Sequence, residues 1–224
     1  MRLFHISIFF LFVSFQLVGQ GLNFEFGMQY CNSIEAEVSK IAAKYQLTSS
    51  DVLPIVYPEC CRFNKVSDAF ETDILTTIYV DKGSRFADFS VGLFQMKPSF
   101  LEKLDSIVSS DTSYRCLLPT FCYKVNTVKE LREKRLNRIM NQTWQIEYVC
   151  LYVLYMKKRF QNNNLGLNFT FYLANAYNFG FTKSDKDLRW WSKQCAFPSG
   201  RDTMGCIPYG LLAYQYKLMR YVTD

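Results

Sequence analysis

Histidine is almost absent: the one in this 224-residue chain is His5, so residues 21–224 contain none. That excludes Ser-His-Asp and Cys-His nucleophilic chemistry, histidine general bases and the common catalytic zinc sites from that part of the chain. Acid–base work near neutral pH then falls to a carboxyl kept neutral by burial, or to Lys, Tyr or Cys. Paired C-x2-C knuckles are missing too, which argues against zinc, and no other metal or organic cofactor is expected. No tract concentrates basic charge. Setting Arg2 aside, 25 basic residues stand against 20 acidic ones, a net charge of about +5. Such a balance attracts anionic surfaces mildly and does not point to nucleic acid. Internal repeats, low-complexity tracts and linkers are equally lacking, so the sequence predicts one compact, mainly α domain.

What is present begins with "MRLFHISIFFLFVSFQLVGQG": an early arginine, an apolar stretch from about Leu3 to Val18, then small residues. This is the layout of a signal peptide over 1–20, cleaved near Gly19 to Gly21. Ser7, Ser14 and Gln16 interrupt the stretch, which falls short of the roughly 20 apolar residues of a membrane span. The expectation is an exported protein, periplasmic or extracellular, with no membrane span after cleavage. Residues 21–224 remain as a single domain with room for a sizeable core. They hold all eight cysteines: Cys31, Cys60, Cys61, Cys116, Cys122, Cys150, Cys195 and Cys206. An even count in an exported chain predicts disulfides, among about a hundred possible connectivities. Cys116 with Cys122, and Cys195 with Cys206, enclose turn-rich loops and are the preferred local pairs.

Periodicity places the helices. Ile34, Val38, Ile41 and Ala42 mark one over Ser33 to Tyr45. Ser49, Ser50 and Asp51 offer a cap to a short helix that carries Pro54 in its first turn and ends or kinks near Glu59, after Pro58. Val66, Phe70, Ile74 and Ile78 recur every four residues as an amphipathic stripe, closed by "DKGS". Ser99 with Glu102, and Thr127 with Glu130, have capping-box spacing, and Glu130 to Lys134 is a favourable i,i+4 pair. The run from Tyr148 to Met156 lies in a helix buried on most sides. "NFTFYLANAYNFG" reads as a helix stopped by Gly180, and "YGLLAYQYKLMRYV" as a closing helix.

Three fragments stand in a definite order: "IVYPECCRF" with Glu59, "SVGLFQMKPSF", and "YLANAYNFG". The order resembles the lytic transglycosylase and goose-type lysozyme branch of the lysozyme superfamily, over roughly Asp51 to Gly180. There a catalytic glutamate ends a helix, a G-L-[MF]-Q segment lines the cleft, and an A-Y-N-x-G segment completes it. The chain departs from the pattern in spacing: 33 residues separate Glu59 from Gly92, more than in the family. Either a helix, Val66 to Val80, is inserted, or the acid is Glu71, 21 residues before Gly92. The helix-end position favours Glu59. Pro58 and the Cys60–Cys61 pair are not typical of the family.

The resemblance implies a lysozyme-like fold and cleavage of the MurNAc–GlcNAc backbone of peptidoglycan glycan strands. One glutamate would act first as acid and then as base, as a lytic transglycosylase or a hydrolytic muramidase. This chemistry suits a chain without histidine, since apolar walls such as Val52, Leu53, Ile55, Val56, Leu93 and Phe94 can keep a carboxyl protonated. Asp88 is the candidate second carboxylate, with a capping aspartate as the plain alternative. Ser90, Gly92 and Gln95 would meet the glycan, Gly92 by close backbone approach and Gln95 through its amide. By the resemblance, Tyr177 would hydrogen-bond near the acid, and Asn178 would hold the cleft backbone or touch substrate. Trp190 and Trp191 either stack on sugars or clamp the C-terminal loop. Two other readings stay open: an inactive lysozyme-like wall-binding or scaffolding module, and a glycosidase of chitin-type polymers.

Overall fold

The computed structural model describes residues 21–161, 168–200 and 205–221; the expected signal peptide at 1–20 lies outside them. Among the described residues the chain is mainly helical and has no β-strand, only the isolated bridges Val91 with Met96 and Phe197 with Ile207. None of these helices is long and apolar enough to cross a membrane. In chain order they are α1 Phe24–Ala43, α2 Ser49–Arg62 and α3 Lys65–Ile74. A π-helical turn, Leu75–Tyr79, carries α3 on into Val80–Lys82. Then come α4 Pro98–Ser110, a 3-10 turn Thr112–Leu117, α5 Leu118–Phe121, α6 Val128–Ile139 and α7 Gln142–Arg159. The last three are α8 Asn168–Phe179, α9 Asp185–Trp191 and α10 Tyr209–Tyr221.

These elements form two compact units. The middle unit holds Cys31–Leu53 and 63–161; the terminal unit holds 21–30, Pro54–Arg62 and the described residues from 168 onward.

In the middle unit, Ile34, Val38, Ile41 and Ala42 of α1 are buried, as their spacing predicts. Helix α7 buries every residue from Gln145 to Val153, and Met156. Polar side chains inside this unit are tied to one another. Arg135 reaches Asp105 at 2.7 Å and Glu102 at 3.6 Å, and the Tyr148 phenol donates to Asp105 at 2.7 Å. Each partner satisfies a group that would be costly to bury alone. Arg138 lies between two rings, 4.0 Å from the Tyr123 centroid and 3.8 Å from that of Trp144. At the start of α6, the Glu130 N–H donates to Thr127 Oγ1 at 3.1 Å, and Lys134 pairs with Glu130 at 3.1 Å. Both interactions match the sequence.

The terminal unit relies on rings and close backbone approach. Tyr57 stacks on Tyr216 with centroids 4.3 Å apart, and Phe197 meets Tyr209 edge-on at 4.9 Å. Helices α8 and α10 approach closely at Gly210, where a Cβ would lie 2.5 Å from the Phe171 carbonyl oxygen. The same contact is sealed by Asn175, whose Oδ1 accepts from the Gly210 N–H at 3.1 Å. Gly180 ends α8 with φ 121°, the C-terminal glycine the sequence calls for.

Four expectations are corrected. Helix α2 starts at Ser49, so Pro54 lies beyond its first turn, and it runs through Pro58 to Arg62, so of the end or kink expected near Glu59 the end is not found. Pro58 lacks the N–H that would bond the Pro54 carbonyl, and in that turn the Tyr209 phenol donates to the neighbouring Ile55 carbonyl at 2.9 Å. The stripe on α3 faces solvent: Val66 is 79% and Phe70 68% exposed, and no residue of Lys65–Ile74 is buried. A four-residue period fixes which residues share a face, not which way it turns. Ser99 and Glu102 form no capping box, because Pro98 opens α4 and Asp88 supplies the cap. Finally, no disulfide forms among the described residues, the Cys116–Cys122 and Cys195–Cys206 pairs included. Cys31, Cys60, Cys61 and Cys150 are instead buried, where a thiol packs as a small apolar group.

Candidate functional site

The residues singled out by sequence fall into two groups, one in each unit. Glu59, Tyr177 and Asn178 belong to the terminal unit; Glu71, Asp88, Ser90, Gly92 and Gln95 belong to the middle unit.

Glu59 sits in the last turn of α2 and is 4% exposed. Its Oε2 lies 3.1 Å from Nη2 of Arg62, three residues on along the same helix. The guanidinium also stands 5.7 Å from the centre of the Phe197 ring. Tyr209, at the start of α10, is fully enclosed beside this pair. Burial drives its phenol well above the ordinary range; Glu59, then Tyr177 and Cys60, push it further, and Arg62 opposes them. Tyr209 is therefore a neutral phenol close to both Glu59 and Tyr177. The sequence reading placed Tyr177 near the acid but missed Arg62 and Tyr209. Arg62 was findable as the i+3 neighbour of Glu59; Tyr209, 150 positions downstream, carried no local signal.

Asn178 and the tryptophans form one cluster. Trp191 stacks on Phe179 at 4.5 Å with the rings 9° from parallel, and its Nε1–H donates to Asn178 Oδ1 at 3.2 Å. Trp191 thus clamps α9 to the end of α8. Trp190 remains 57% exposed.

In the middle unit, "SVGLFQM" forms a tight hairpin. Val91 and Met96 exchange both backbone hydrogen bonds, 2.8 and 3.0 Å, and the Gln95 N–H closes onto the Gly92 carbonyl at 2.9 Å. Gly92 has φ 73°, and a Cβ there would overlap Nε2 of Gln145. Glycine is required on both counts. The buried Gln145 holds the inner side: Oε1 accepts from the Phe94 N–H at 3.3 Å, and Nε2 donates to the Val91 carbonyl at 3.1 Å. Gln95 is itself left-handed, φ 50°, and its Nε2 donates to the Gly92 carbonyl at 2.9 Å. Its amide helps build the hairpin, a role the sequence reading did not assign.

The two middle-unit carboxylates proposed from sequence both serve backbone or helix ends. Glu71 Oε2 accepts from the Ser90 N–H at 3.1 Å. Asp88 takes the Ser99 N–H at 2.8 Å and the Ser99 hydroxyl at 2.7 Å, capping α4. Asp68, three residues before Glu71, was not anticipated. Its Oδ1 accepts from the Gly92 N–H at 2.6 Å and stands 3.5 Å from Gln95 Nε2. Burial pushes the Asp68 carboxyl above the ordinary range, against the pull of the Gly92 bond.

Among the described residues no group of three or more His, Cys, Asp and Glu side chains is arranged to hold a metal ion. Glu59 pairs with Arg62 of its own helix, whereas Glu71, Asp88 and Asp68 accept backbone amides of Ser90, Ser99 and Gly92. No family model, curated protein or solved structure matches this chain.

Proposed function

We propose that the chain is an exported enzyme of lysozyme-like fold that cleaves the MurNAc–GlcNAc backbone of peptidoglycan, with Glu59 as the catalytic residue. Lytic transglycosylase action is preferred to hydrolysis. The observation that carries the reading is a helix-end glutamate, 4% exposed, grouped with Tyr177 and Tyr209 in a chain that has no histidine beyond His5.

The reaction has two halves. The Glu59 carboxylic acid gives its proton to the glycosidic oxygen; the bond to the anomeric carbon breaks and the leaving sugar departs with a free 4-hydroxyl. The Glu59 carboxylate then takes the proton from the muramyl 6-hydroxyl as that oxygen bonds to the anomeric carbon, giving a 1,6-anhydro end and restoring the acid. Water in place of the 6-hydroxyl would give a reducing end. Arg62 at 3.1 Å stabilises the carboxylate between the halves, while removal of the side chain from water favours the neutral acid of the first.

The ion pair also favours a second reading, a wall-binding module without catalysis, because a carboxylate held by a cation is a poor proton donor. Product analysis of purified sacculi by mass spectrometry separates these readings. Anhydro-muropeptides are expected from the wild type and from Glu71→Gln, and none from Glu59→Gln. Reducing ends would indicate a hydrolase, and an unchanged sacculus a binder.

A further inference from the structure

Among the described residues, five of the nine large apolar side chains left exposed lie in one stretch of the middle unit: Val66, Phe70, Ile78, Phe86 and Phe89. Val66 and Phe70 stand one turn apart on α3, a helix that buries none of its own residues. A four-residue repeat drifts by about 40° at each step around a 3.6-residue helix. The wider π-helical turn Leu75–Tyr79 takes back much of that drift and keeps Ile78 on the side of Val66 and Phe70. The same turn buries Leu75 and Tyr79, which fix the end of α3 to the core. Further on, the Ser90 N–H donates to Glu71 and so returns Phe89 to the flank of α3. Phe86, 70% exposed, stands three residues earlier in the same loop.

Charge along this stretch is sorted. Lys65, Lys82, Arg85 and Lys97 are exposed and, among the described residues, enter no ion pair. The acids are turned inward or neutralised: Asp68 and Glu71 take hairpin amides, Asp88 caps α4, and Asp81 pairs with Lys129 at 2.8 Å. Asp73 is the exception, exposed and outside any ion pair among the described residues. The solvent side therefore presents phenylalanines together with a surplus of free cations.

We propose that this face docks on an anionic lipid surface, whatever the role of Glu59, with α3 lying in the interface. Its ten residues are far too short to cross a bilayer. Apolar side chains on one side of a short helix, with lysine and arginine beside them, hold a peripheral helix among lipid headgroups. The loop adds the rings of Phe86 and Phe89, and a fluid surface accepts them without a matching groove. A second copy of the chain fits less well, because a two-fold contact sets this face against itself and brings its cations together. The excess of basic over acidic residues in 21–224, 25 against 20, adds attraction at longer range.

The test titrates the full chain with vesicles of phosphatidylcholine, alone or with about one third phosphatidylglycerol. Hydrogen exchange of the segment 65–89, followed by mass spectrometry, reads the contact where it forms and apart from any binding through residues 1–20. Exchange there should slow on the phosphatidylglycerol vesicles and recover in high salt. Phe70→Ser should raise the lipid concentration that half-slows exchange at least about tenfold, and Lys82→Gln with Arg85→Gln about fivefold for each cation removed. Tm should stay as in the wild type, since none of these three side chains is buried. Exchange that ignores both kinds of vesicle, or slows equally on the two, overturns the proposal, and so does a Phe70→Ser chain that responds like the wild type. Exchange in 65–89 that slows with protein concentration in the absence of lipid makes a second copy the occupant and overturns it as well.

Discussion

Each unit buries a glutamate beside a cation and a phenol, yet the two pairs differ in kind. In the middle unit Glu147, 6% exposed, lies within α7 and is gripped from the turn after α1: Lys44 Nζ approaches to 2.7 Å and the Tyr45 phenol donates to the other oxygen. Both carboxylate oxygens are bound by groups from the turn that follows α1, and the arrangement ties that turn to α7. In the terminal unit the cation beside Glu59 comes from its own helix, and the same guanidinium faces the Phe197 ring. A buried acid is thus no sign of function by itself. What distinguishes Glu59 is that its ion pair is made within one helix, beside the enclosed Tyr209, whereas that of Glu147 links residues about a hundred positions apart.

The sharpest way to break this comparison is to remove each acid in turn. Glu59→Gln should lower muropeptide release at least about 100-fold, the lower range for loss of a general acid, with a Tm close to wild type. Glu147→Gln should keep activity and lower Tm, since the amide can no longer pair with Lys44. The reverse pattern would exchange the roles of the two residues. Next in size is Arg135→Leu, which strands Asp105 and should destabilise the middle unit by about 3–5 kcal/mol, read by urea unfolding. Gly92→Ala should cost about 1–3 kcal/mol, from the left-handed backbone and the collision with Gln145, and should raise exchange in the hairpin.

Acid titration gives a smaller effect whose sign differs between groups. Lys158, then the Ser113 amide and hydroxyl, hold the exposed Asp111 at about 2, below its ordinary 3.8. Its stabilisation is present above 3.8 and is lost as pH falls towards about 2. Asp68 and Asp105 go the other way. Burial raises both, outweighing the Gly92 bond in one and Arg135 with Tyr148 in the other. Their contribution is complete at low pH and is lost as pH rises through the raised values. Tm measured against pH should therefore fall less steeply below pH 4 in Asp111→Asn than in the wild type. The smallest effect concerns the thiols: a reducing agent should leave Tm unchanged, because no disulfide holds either unit.

Much of the helical framework was legible because it depends on neighbours in sequence. Thr127 before α6, the Glu130–Lys134 pair, the buried run of α7 and Gly180 after α8 are all local signals, and all are found. The errors arise where a distant residue decides. Pro54 read as a first-turn proline and Pro58 as leading to an end or kink near Glu59, but α2 starts at Ser49 and runs through both, with Tyr209 supplying a hydrogen bond from far along the chain. The stripe Val66, Phe70 and Ile78 has the right period, but burial depends on what packs against α3, and at these positions little does. Cysteine number suggested disulfides, whereas side-chain volume explains the four buried thiols. Glu59 and Tyr177 in the terminal unit, and Gly92 in the middle unit, could be named from motifs. Arg62 was within reach of the sequence as the i+3 neighbour of Glu59, but Tyr209 and Asp68 were not, because their part is defined by contacts rather than by pattern.

The most direct test of the role of Glu59 is a crystal structure of Glu59→Gln with a GlcNAc tetramer bound. The account predicts the residue 59 amide within about 3 Å of a glycosidic oxygen, the reach required for proton transfer. A tetramer bound with every glycosidic oxygen beyond hydrogen-bond reach of residue 59 would contradict it.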